Sequence, residues 1–203
     1  MNESKGSGDA ASNGPSITDE ELMAAFARGE KEAFEELFSR YQQPLYGFFR
    51  RRVPDRAHAE ELTQETFLAL VKAAPRYEAR ASLRTYLYAI AYQILKGYRR
   101  KSAFRQAFFG SSDRVKEATA RDRMEAEIQL RDAIGKLERV EREILLLREY
   151  EELRYTEIAE VLGIPVNSVR SRLFRSRQAL RELLAGRESR VRGTELRGIE
   201  EQA

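Results

Sequence analysis

Apolar side chains recur every three or four residues along most of the chain, which is the spacing that places them on one face of an α-helix. The first stripe follows Thr18, which forms with Glu21 the sequence pattern of a capping box. Later stripes predict a second helix that Pro44 kinks or interrupts, a third from about 57 to 73, and a fourth from about 83 to 101. No alternating period of two extends over any length, so the predicted fold class is all-α.

Two stretches without helical patterning divide the chain into two small domains. Residues 1–17 are rich in Gly, Ser, Asn and Ala and predict a disordered N-terminal tail. Residues 102–123 lose the regular period, contain Gly-Ser-Ser and predict a flexible linker. The predicted helical domains are therefore 18–101 and 124–185. Residues 186–203 show no sustained apolar stripe and are expected to form a disordered C-terminal extension.

The chain has no Cys and a single His, His58, which narrows the chemistry that it could perform. Without Cys there is no disulfide, no thiol nucleophile and no Cys-ligated metal centre, and one His excludes a His-pair metal motif. No Gly-rich phosphate loop and no HExxH or GxSxG motif occurs. We therefore expect a protein that is not an enzyme and uses no metal or cofactor, and we assign His58 no role.

No apolar run approaches the ~18–20 residues that a membrane-spanning helix needs. The N-terminus also lacks the basic-then-apolar pattern of a signal peptide. We therefore expect a cytoplasmic protein without membrane insertion.

The net charge of +3 conceals two separate cationic segments. Residues 18–105 have 16 basic and 12 acidic side chains, and residues 163–185 have five basic and one acidic, so each segment has a net charge of +4. Between them, residues 131–162 have six basic and nine acidic side chains, a net charge of −3. This distribution indicates two positive patches that could meet nucleic acid, rather than a uniformly basic surface.

The strongest local motif spans residues 155–175 and is typical of a helix-turn-helix. Ala159 supplies the small residue that lets the second helix approach the first, and Gly163 tolerates the positive φ that the turn requires. The apolar anchors of the two helices are Ile158, Leu162, Ile164, Val169 and Leu173.

The second helix of this motif has polar side chains that suit DNA. Arg can bond guanine bidentately in the major groove, while Ser and Asn contact phosphates or bases. The candidate contacts are Asn167, Ser168, Arg170, Ser171, Arg172, Arg175 and Arg177. The alternative is a helical hairpin with a solvated Arg face, but such faces usually include acids, and Glu182 is the lone acid of residues 163–185.

The predicted fourth helix presents Tyr88, Tyr92, Lys96 and Arg99 on the face opposite its apolar stripe. Aromatic rings interleaved with cations suit unstacked bases and a single-stranded backbone. The alternative is that each tyrosine simply packs against the rest of the protein.

The predicted third helix presents Glu61, Gln64, Glu65 and Leu68 together on its outward face. Acid, amide and apolar groups on one ridge could dock a basic partner helix. The alternative is a solvated face, since a lone exposed Leu needs no explanation.

Three stretches in this order resemble the bacterial RNA polymerase sigma-70 family, and within it the small extracytoplasmic-function (ECF) sigma factors. They are AEELTQETFLALVKA at 59–73, SLRTYLYAIAYQILKGYRRK at 82–101 and LRYTEIAEVLGIPVNSVRSRLFRSRQALRELL at 153–184. The resemblance covers roughly residues 18–185, and the order of the stretches makes it specific. It implies a subunit that binds core RNA polymerase and directs it to promoters, with 18–101 similar to sigma region 2 and 124–185 to sigma region 4.

The resemblance also implies roles for particular residues. The minus-thirty-five element would be read by Asn167, Ser168, Arg170, Ser171, Phe174 and Arg175. The minus-ten element would be recognised and melted by Arg76, Tyr77, Arg80, Tyr88, Tyr92, Lys96 and Arg99. The beta-prime clamp helices of core polymerase would dock on Glu61, Gln64, Glu65 and Leu68, and the acidic stretch 131–162 would face the beta flap. The implied partners are core polymerase, double- and single-stranded promoter DNA, and an anti-sigma factor.

The sequence departs from the family pattern at several places. The stretch Arg105-Gln-Ala-Phe-Phe and the C-terminal extension have no recognised counterpart in the family. The family commonly has Trp where Tyr86 stands, so the core there could be packed differently. Glu152 and Arg154 replace small residues that usually precede the helix-turn-helix, which predicts a weaker cap on its first helix.

Two other functions stay open at this point. A stand-alone helix-turn-helix regulator would bind DNA tightly through residues 124–185 alone and would ignore changes at Gln64 or Leu68. A protein-interaction module without a DNA role, such as an anti-sigma antagonist or a sigma mimic, would tolerate the loss of both Arg170 and Arg175.

Overall fold

The computed structural model describes residues 17–78, 81–109 and 122–200. Within these ranges all regular structure is helical, which confirms the all-α fold class. The helices are α1 Asp19–Ala27, α2 Lys31–Arg50, α3 Arg56–Ala73, α4 Leu83–Phe109, α5 Asp122–Lys136, α6 Arg139–Glu149, α7 Tyr155–Leu162 and α8 Val166–Glu200, with a short 3-10 turn at Ala74–Arg76. The predicted N-terminal tail, apart from Ile17, and the candidate Arg80 lie outside the described residues.

The N-terminal unit, α1 to α4, begins with the predicted capping box. The backbone N–H of Thr18 donates to the Glu21 carboxylate at 2.8 Å, and the backbone N–H of Glu21 donates to the Thr18 hydroxyl at 3.3 Å. Gly29, at φ +100°, turns the chain from α1 into α2. The second helix continues through Pro44, which is exposed, so the predicted interruption at that residue was wrong. Tyr41 and Leu45 are buried on either side and hold the helix against the core.

The core of the N-terminal unit is built where α2, α3 and α4 pack together. Phe48 and Phe49 are fully buried, with ring centroids 5.0 Å apart in an edge-to-face arrangement. Other side chains that fill this core are Leu37, Leu45, Leu62, Leu70, Leu83, Leu87 and Leu95.

The C-terminal unit, α5 to α8, packs its helices around a smaller apolar core. Glu138 caps α6, since its carboxylate accepts from the backbone N–H groups of Val140 and Glu141. The fully or nearly fully buried side chains are Ala133, Ile144, Leu147, Leu153, Ile158, Val161, Val169 and Leu173. In this unit α8 packs against α5, α6 and α7, and its Val169 and Leu173 belong to the core.

The two units are in direct contact, because α7 packs against α4. The Arg84 guanidinium of α4 donates to the backbone carbonyl of Glu151, in the loop that leads into α7. The contact covers part of the α4 face that the sequence analysis marked as a candidate for single-stranded DNA.

Two predicted boundaries differ from the structure. Residues 102–109, expected to belong to a flexible linker, continue α4, and residues 186–200, expected to be disordered, continue α8. Extending a helix that already exists adds one hydrogen bond per ordered residue and avoids the cost of nucleation. A weak apolar stripe therefore does not by itself end a long helix.

Candidate functional site

The helix-turn-helix forms as the sequence predicts, with α7 spanning Tyr155–Leu162 and α8 beginning at Val166. Gly163 has φ +68° and ψ +39°, the left-handed conformation that the turn was expected to need. The backbone N–H of Ile164 donates to the carbonyl of Ala159 at 3.0 Å and closes the turn. Ala159, Val169 and Leu173 are buried between the two helices.

The first helix of the motif, α7, receives part of its cap from Glu157, although the sequence predicted a weak cap because of Arg154. Arg154 occupies the N-cap position, and its side chain supplies no oxygen to the helix amides. Instead, the carboxylate of Glu157 reaches back and accepts from the backbone N–H of Arg154 at 2.7 Å. Glu157 thus supplies half of a capping box and offsets part of the weak cap that Arg154 predicts.

Replacing Gly163 with Ala is expected to destabilise the chain by about 1–2 kcal/mol, because an L-residue at positive φ is strained. Replacing Gly135 with Ala is the matched control, since this glycine is helical and an added Cβ would meet no atom within 4 Å. The control is expected to stabilise by about 0.4–1 kcal/mol. Chemical denaturation of the full chain measures both changes, and equal free energies of unfolding would contradict a left-handed turn at residue 163.

The recognition helix α8 exposes Arg170 and Phe174 one turn apart, the latter with 65% of its surface accessible. Asn167, Ser171 and Arg175 are also exposed, and Ser168 is half-buried. These residues form one continuous outward surface at the start of α8, which we call the recognition face. Six groups predicted from the sequence are thus brought together.

Acidic side chains of α6 and of its N-cap lie beside the arginines of α8. This proximity was not predicted from the sequence. Arg172 pairs with Glu138 at 3.3 Å, Arg175 with Glu141 at 3.1 Å, and Arg177 with Glu149 at 2.7 Å. Arg170 has no ion-pair partner among residues 17–78, 81–104 and 128–185. The count of a lone acid within residues 163–185 therefore understates the acids near this face, because Glu138, Glu141 and Glu149 are distant in sequence and fold against α8.

The face of α4 is only partly accessible. Lys96 is exposed, and its Nζ lies 5.6 Å from the centroid of the half-buried Tyr92 ring. Tyr88 is only 2% exposed, so its predicted exposure was wrong for this conformation. Its hydroxyl lies 3.4 Å from the Glu151 carboxylate of the C-terminal unit, and burial together with Glu151 raises the pKa of Tyr88 to about 12. Burial also raises the pKa of Tyr92.

Five charged residues meet between the two units, and we call them the interdomain cluster: Arg51, Arg52, Arg99, Glu143 and Glu151. Glu143 pairs with Arg52 and with Arg99, both at 2.8 Å. Glu151 pairs with Arg51 at 2.9 Å and with Arg52 at 3.1 Å. The side chains of Arg52, Glu143 and Glu151 are almost completely removed from solvent. Burial alone would raise the pKa of Glu143, but Arg52 and Arg99 lower it on balance.

This cluster as a whole was not predicted from the sequence, although two signals point to it. Arg50, Arg51 and Arg52 form a run of three cations at the end of α2. Glu143 interrupts the apolar stripe of α6, three residues after Val140 and four before Leu147. A charge on a buried helical face needs a partner, and the structure supplies it from the other unit.

The ridge on α3 is exposed as predicted. Glu61, Gln64, Glu65 and Leu68 are all accessible, and Leu68 has 58% of its surface exposed. Two further apolar side chains are exposed nearby, Val71 on α3 and Phe38 on α2, whose ring lies 4.7 Å from that of Phe67. Neither Val71 nor Phe38 was among the sequence candidates for this surface.

The segment before α4 holds Arg76, which is exposed, and Tyr77, which is half-buried. The Tyr77 ring lies 5.4 Å from that of Tyr86, and the two residues line a small open pocket together with Arg76 and Glu78. His58, to which no function was assigned, lies in the first turn of α3, where its backbone N–H donates to the capping carboxylate of Asp55 at 2.8 Å.

The described residues contain no cluster of His, Cys, Asp or Glu that could hold a metal ion. Among these same residues, no helix is both long enough and apolar enough to cross a membrane.

Comparison with protein families matches both units of this structure. The family model "Sigma-70 region 2" matches residues 37–105, and the model "Sigma-70, region 4" matches residues 127–180. The chain belongs to the sigma-70 family, in its ECF group. It is a sigma factor, which acts in promoter-specific initiation of transcription by RNA polymerase, and the match to region 2 disfavours a stand-alone helix-turn-helix regulator.

Individual relatives agree with this assignment. The RNA polymerase sigma-H factor of Pseudomonas aeruginosa is 33% identical over 182 residues, which cover 82% of this sigma factor and 93% of the relative. The ECF RNA polymerase sigma factor SigC of Mycobacterium tuberculosis is 34% identical over 162 residues. The match covers 78% of this sigma factor and 87% of SigC.

Solved structures share the fold. The structure of CnrH in complex with the cytosolic domain of CnrY has a TM-score of 0.66 at 25% identity, and covers 83% of this sigma factor and 97% of that chain. The sigma factor RpoE from Bartonella quintana, in complex with the anti-sigma factor NepR, has a TM-score of 0.63 at 20% identity. The match covers 75% of this sigma factor and 96% of that chain. The second likeness is one of fold alone.

Proposed function

We propose that residues 18–101 of this sigma factor bind core polymerase and open the minus-ten element, while residues 124–185 read the minus-thirty-five element. The observation that carries the proposal is the recognition face, with Arg170 and Phe174 exposed at the start of the second helix of a helix-turn-helix. The N-terminal residues of such a helix are the ones that meet base edges in the major groove.

Each type of side chain on the recognition face has a distinct use. Arg170 and Arg175 can bond guanine bidentately, and Phe174 can contact a thymine methyl group. Asn167, Ser168 and Ser171 contact phosphates or bases and set the position of the helix. Arg175 must give up its ion pair with Glu141 before it can bind DNA. Arg170 has no ion pair with a described residue to give up.

Replacing Arg170 or Arg175 with Ala is expected to cost about 1–3 kcal/mol of discrimination at one promoter position. The measurement is transcription by the holoenzyme on promoters that differ singly in the minus-thirty-five element. Arg181→Ala is the control, because it removes the same charge from an exposed position further along α8. If an arginine change weakens all promoters equally, that residue contacts phosphate and does not read a base.

We assign the minus-ten element to α4 and the segment before it. Arg76 and Tyr77 flank the small pocket, which suits a base taken out of the stack, while Tyr92 and Lys96 offer a ring and a cation to the separated strand. The proposed set also includes Tyr88, Arg99 and Arg80. The C-terminal unit covers Tyr88 and Arg99 in this conformation.

The ridge on α3 is assigned to the beta-prime clamp helices of core polymerase. Its acids suit a basic partner, and Leu68 with its apolar neighbours supplies surface to bury. The acidic stretch 131–162 is proposed to face the beta flap, but Glu143 and Glu151 of that stretch are buried between the units and cannot take part in this conformation.

DNA binding by this sigma factor is proposed to depend on polymerase. Two small patches bind weakly on their own and gain affinity when both are held at a fixed spacing. We further propose that it has no catalytic activity of its own, uses no metal or cofactor, and acts in the cytoplasm. An anti-sigma factor is also a proposed partner, as the resemblance of the sequence to the ECF sigma factors implies.

A further inference from the structure

The first turn of α1 is tied to two other helices by adjacent carboxylates. Asp19 pairs with Arg40 of α2 at 2.7 Å and accepts a hydrogen bond from the Tyr41 hydroxyl. The carboxylate of Glu20 reaches α4 instead, where it accepts from the backbone N–H of Leu83 at 2.9 Å. The first turn of α1 therefore bridges α2 and the start of α4.

The bond from Glu20 forms part of the N-terminal cap of α4. The first N–H groups of an α-helix have no partner within the helix itself. The N–H of Thr85 donates to the Ser82 hydroxyl at 3.2 Å, and the N–H of Leu83 donates to Glu20. A carboxylate at this end of a helix also interacts favourably with the helix dipole. Leu83 is completely removed from solvent, so water does not readily replace the carboxylate as the acceptor.

The same end of α4 lines the small pocket that we assign to a minus-ten base. Tyr86 lies in the first turn of α4, and its ring is 5.4 Å from that of Tyr77. Tyr77 follows the 3-10 turn Ala74–Arg76, and α1 packs against this turn as well as against α4. Burial raises the pKa of Tyr77, and the nearby carboxylate of Glu20 raises it further. One helix, α1, thus contacts both of the segments that line the pocket.

We propose that Glu20 is a positioning residue for the minus-ten pocket, because its bond to Leu83 fixes the first turn of α4. That turn sets where the Tyr86 ring lies relative to the Tyr77 ring. A binding pocket discriminates well only when its groups are held to within about 0.5 Å. Without the carboxylate, the N–H of Leu83 is buried without an acceptor, and the turn shifts or unwinds. Glu20 was not among the sequence candidates, and the inference rests on the proposed function of the pocket.

The test compares three changes at Glu20 in the full-length chain, assembled with core polymerase. Glu20→Ala removes the acceptor, and Glu20→Asp keeps the charge but shortens the side chain by a methylene group. Glu20→Gln keeps the length of the side chain and an oxygen that accepts from Leu83. Transcription is measured on promoters that differ singly at each position of the minus-ten and minus-thirty-five elements.

We expect Glu20→Ala and Glu20→Asp to reduce discrimination at one minus-ten position by about fivefold, the lower end of the effect of one mismatched base pair. Discrimination at the other positions should match the wild type, and Glu20→Gln should match it at every position. In NMR spectra of the free chain, the Leu83 amide should lose its protection from hydrogen exchange in the Ala and Asp variants only. If Glu20→Ala folds poorly, Glu20→Asp still tests the inference, because it keeps an acid in the first turn of α1.

Thr18→Ala is the matched control, because it removes the capping side chain of the same helix and leaves the bond between Glu20 and Leu83 in place. It should destabilise α1 and leave every base preference unchanged. Chemical denaturation measures the stability of each variant. A loss of discrimination that merely follows stability would therefore appear in this control too.

Three results would overturn the inference: unchanged discrimination in the Ala and Asp variants, an equal loss in Thr18→Ala, or an equal loss in Glu20→Gln. Tyr77→Ala is measured in parallel as a test of the pocket itself. If it leaves every minus-ten preference unchanged, the proposed function of the pocket fails, and the role of Glu20 fails with it. If Tyr77→Ala removes a preference that Glu20→Ala retains, only the role of Glu20 is rejected.

Discussion

Replacing Leu68 with Arg is expected to weaken the binding of the chain to core RNA polymerase by about 30-fold or more. The side chain is 58% exposed, so its loss leaves the core of the N-terminal unit unchanged. A central apolar contact in an interface is worth about 2 kcal/mol or more, which corresponds to that change in affinity. An arginine there adds the desolvation of a charge and repulsion toward a basic partner helix. The measurement is a titration of labelled sigma factor with purified core polymerase.

The control for Leu68 is Ile17→Arg, an equivalent change at an exposed apolar residue that precedes α1. It should bind core polymerase as the wild-type chain does, and both variants should unfold at the same denaturant concentration as the wild type. Equal affinities of all three proteins would remove Leu68 from the polymerase interface and would leave the exposed α3 ridge without an assigned partner.

Phe48→Ala is expected to destabilise the chain by about 3–5 kcal/mol, the range for deleting a fully buried aromatic ring. The ring packs edge-to-face on Phe49, lies 5.7 Å from the Tyr88 ring, and is covered by the Arg52 guanidinium at 3.8 Å. Its loss therefore opens a cavity in the core and loosens the support of the interdomain cluster. Domains of this size have only about 5–15 kcal/mol of stability, so a large share is lost. Chemical denaturation measures the change.

Phe174→Ala is the matched change at an exposed ring. Its free energy of unfolding should stay within about 0.5 kcal/mol of the wild type, because the ring packs against little of the protein. Transcription from promoters with an intact minus-thirty-five element should fall, whereas Phe48→Ala should impair all promoters alike. A Phe174 variant with lowered stability and unchanged promoter preference would show that the ring has a structural role.

The structure agrees best with the sequence where the signal is local. The bounds of α7, the left-handed Gly163 and the capping box of Thr18 all depend on residues within one or two turns of each other. Local propensity and hydrogen bonding determine such features, so a single sequence contains enough information to predict them. Pro44 is the exception, because tertiary packing of Tyr41 and Leu45 keeps α2 continuous across it.

The side chains whose exposure or ion pairing was predicted wrongly make contacts with residues distant in sequence. Tyr88 is buried by Glu151, which lies 63 residues further along the chain, and the acids beside the recognition face reach Arg172 and Arg175 from 34 residues away. Helical periodicity assigns a residue to a face of its own helix but says nothing about which other element covers that face. The recognition face was predicted correctly as an exposed surface, and no other helix covers it within the part of the chain whose side chains the structure describes.

Transcription in vitro by purified core RNA polymerase, on a library of promoters and with or without the full-length chain, tests the central claim most directly. We predict that the chain directs initiation at a defined subset of promoters that share minus-thirty-five and minus-ten elements, and that core polymerase alone does not. No specific initiation above core polymerase alone would contradict the claim that this chain acts as a sigma factor.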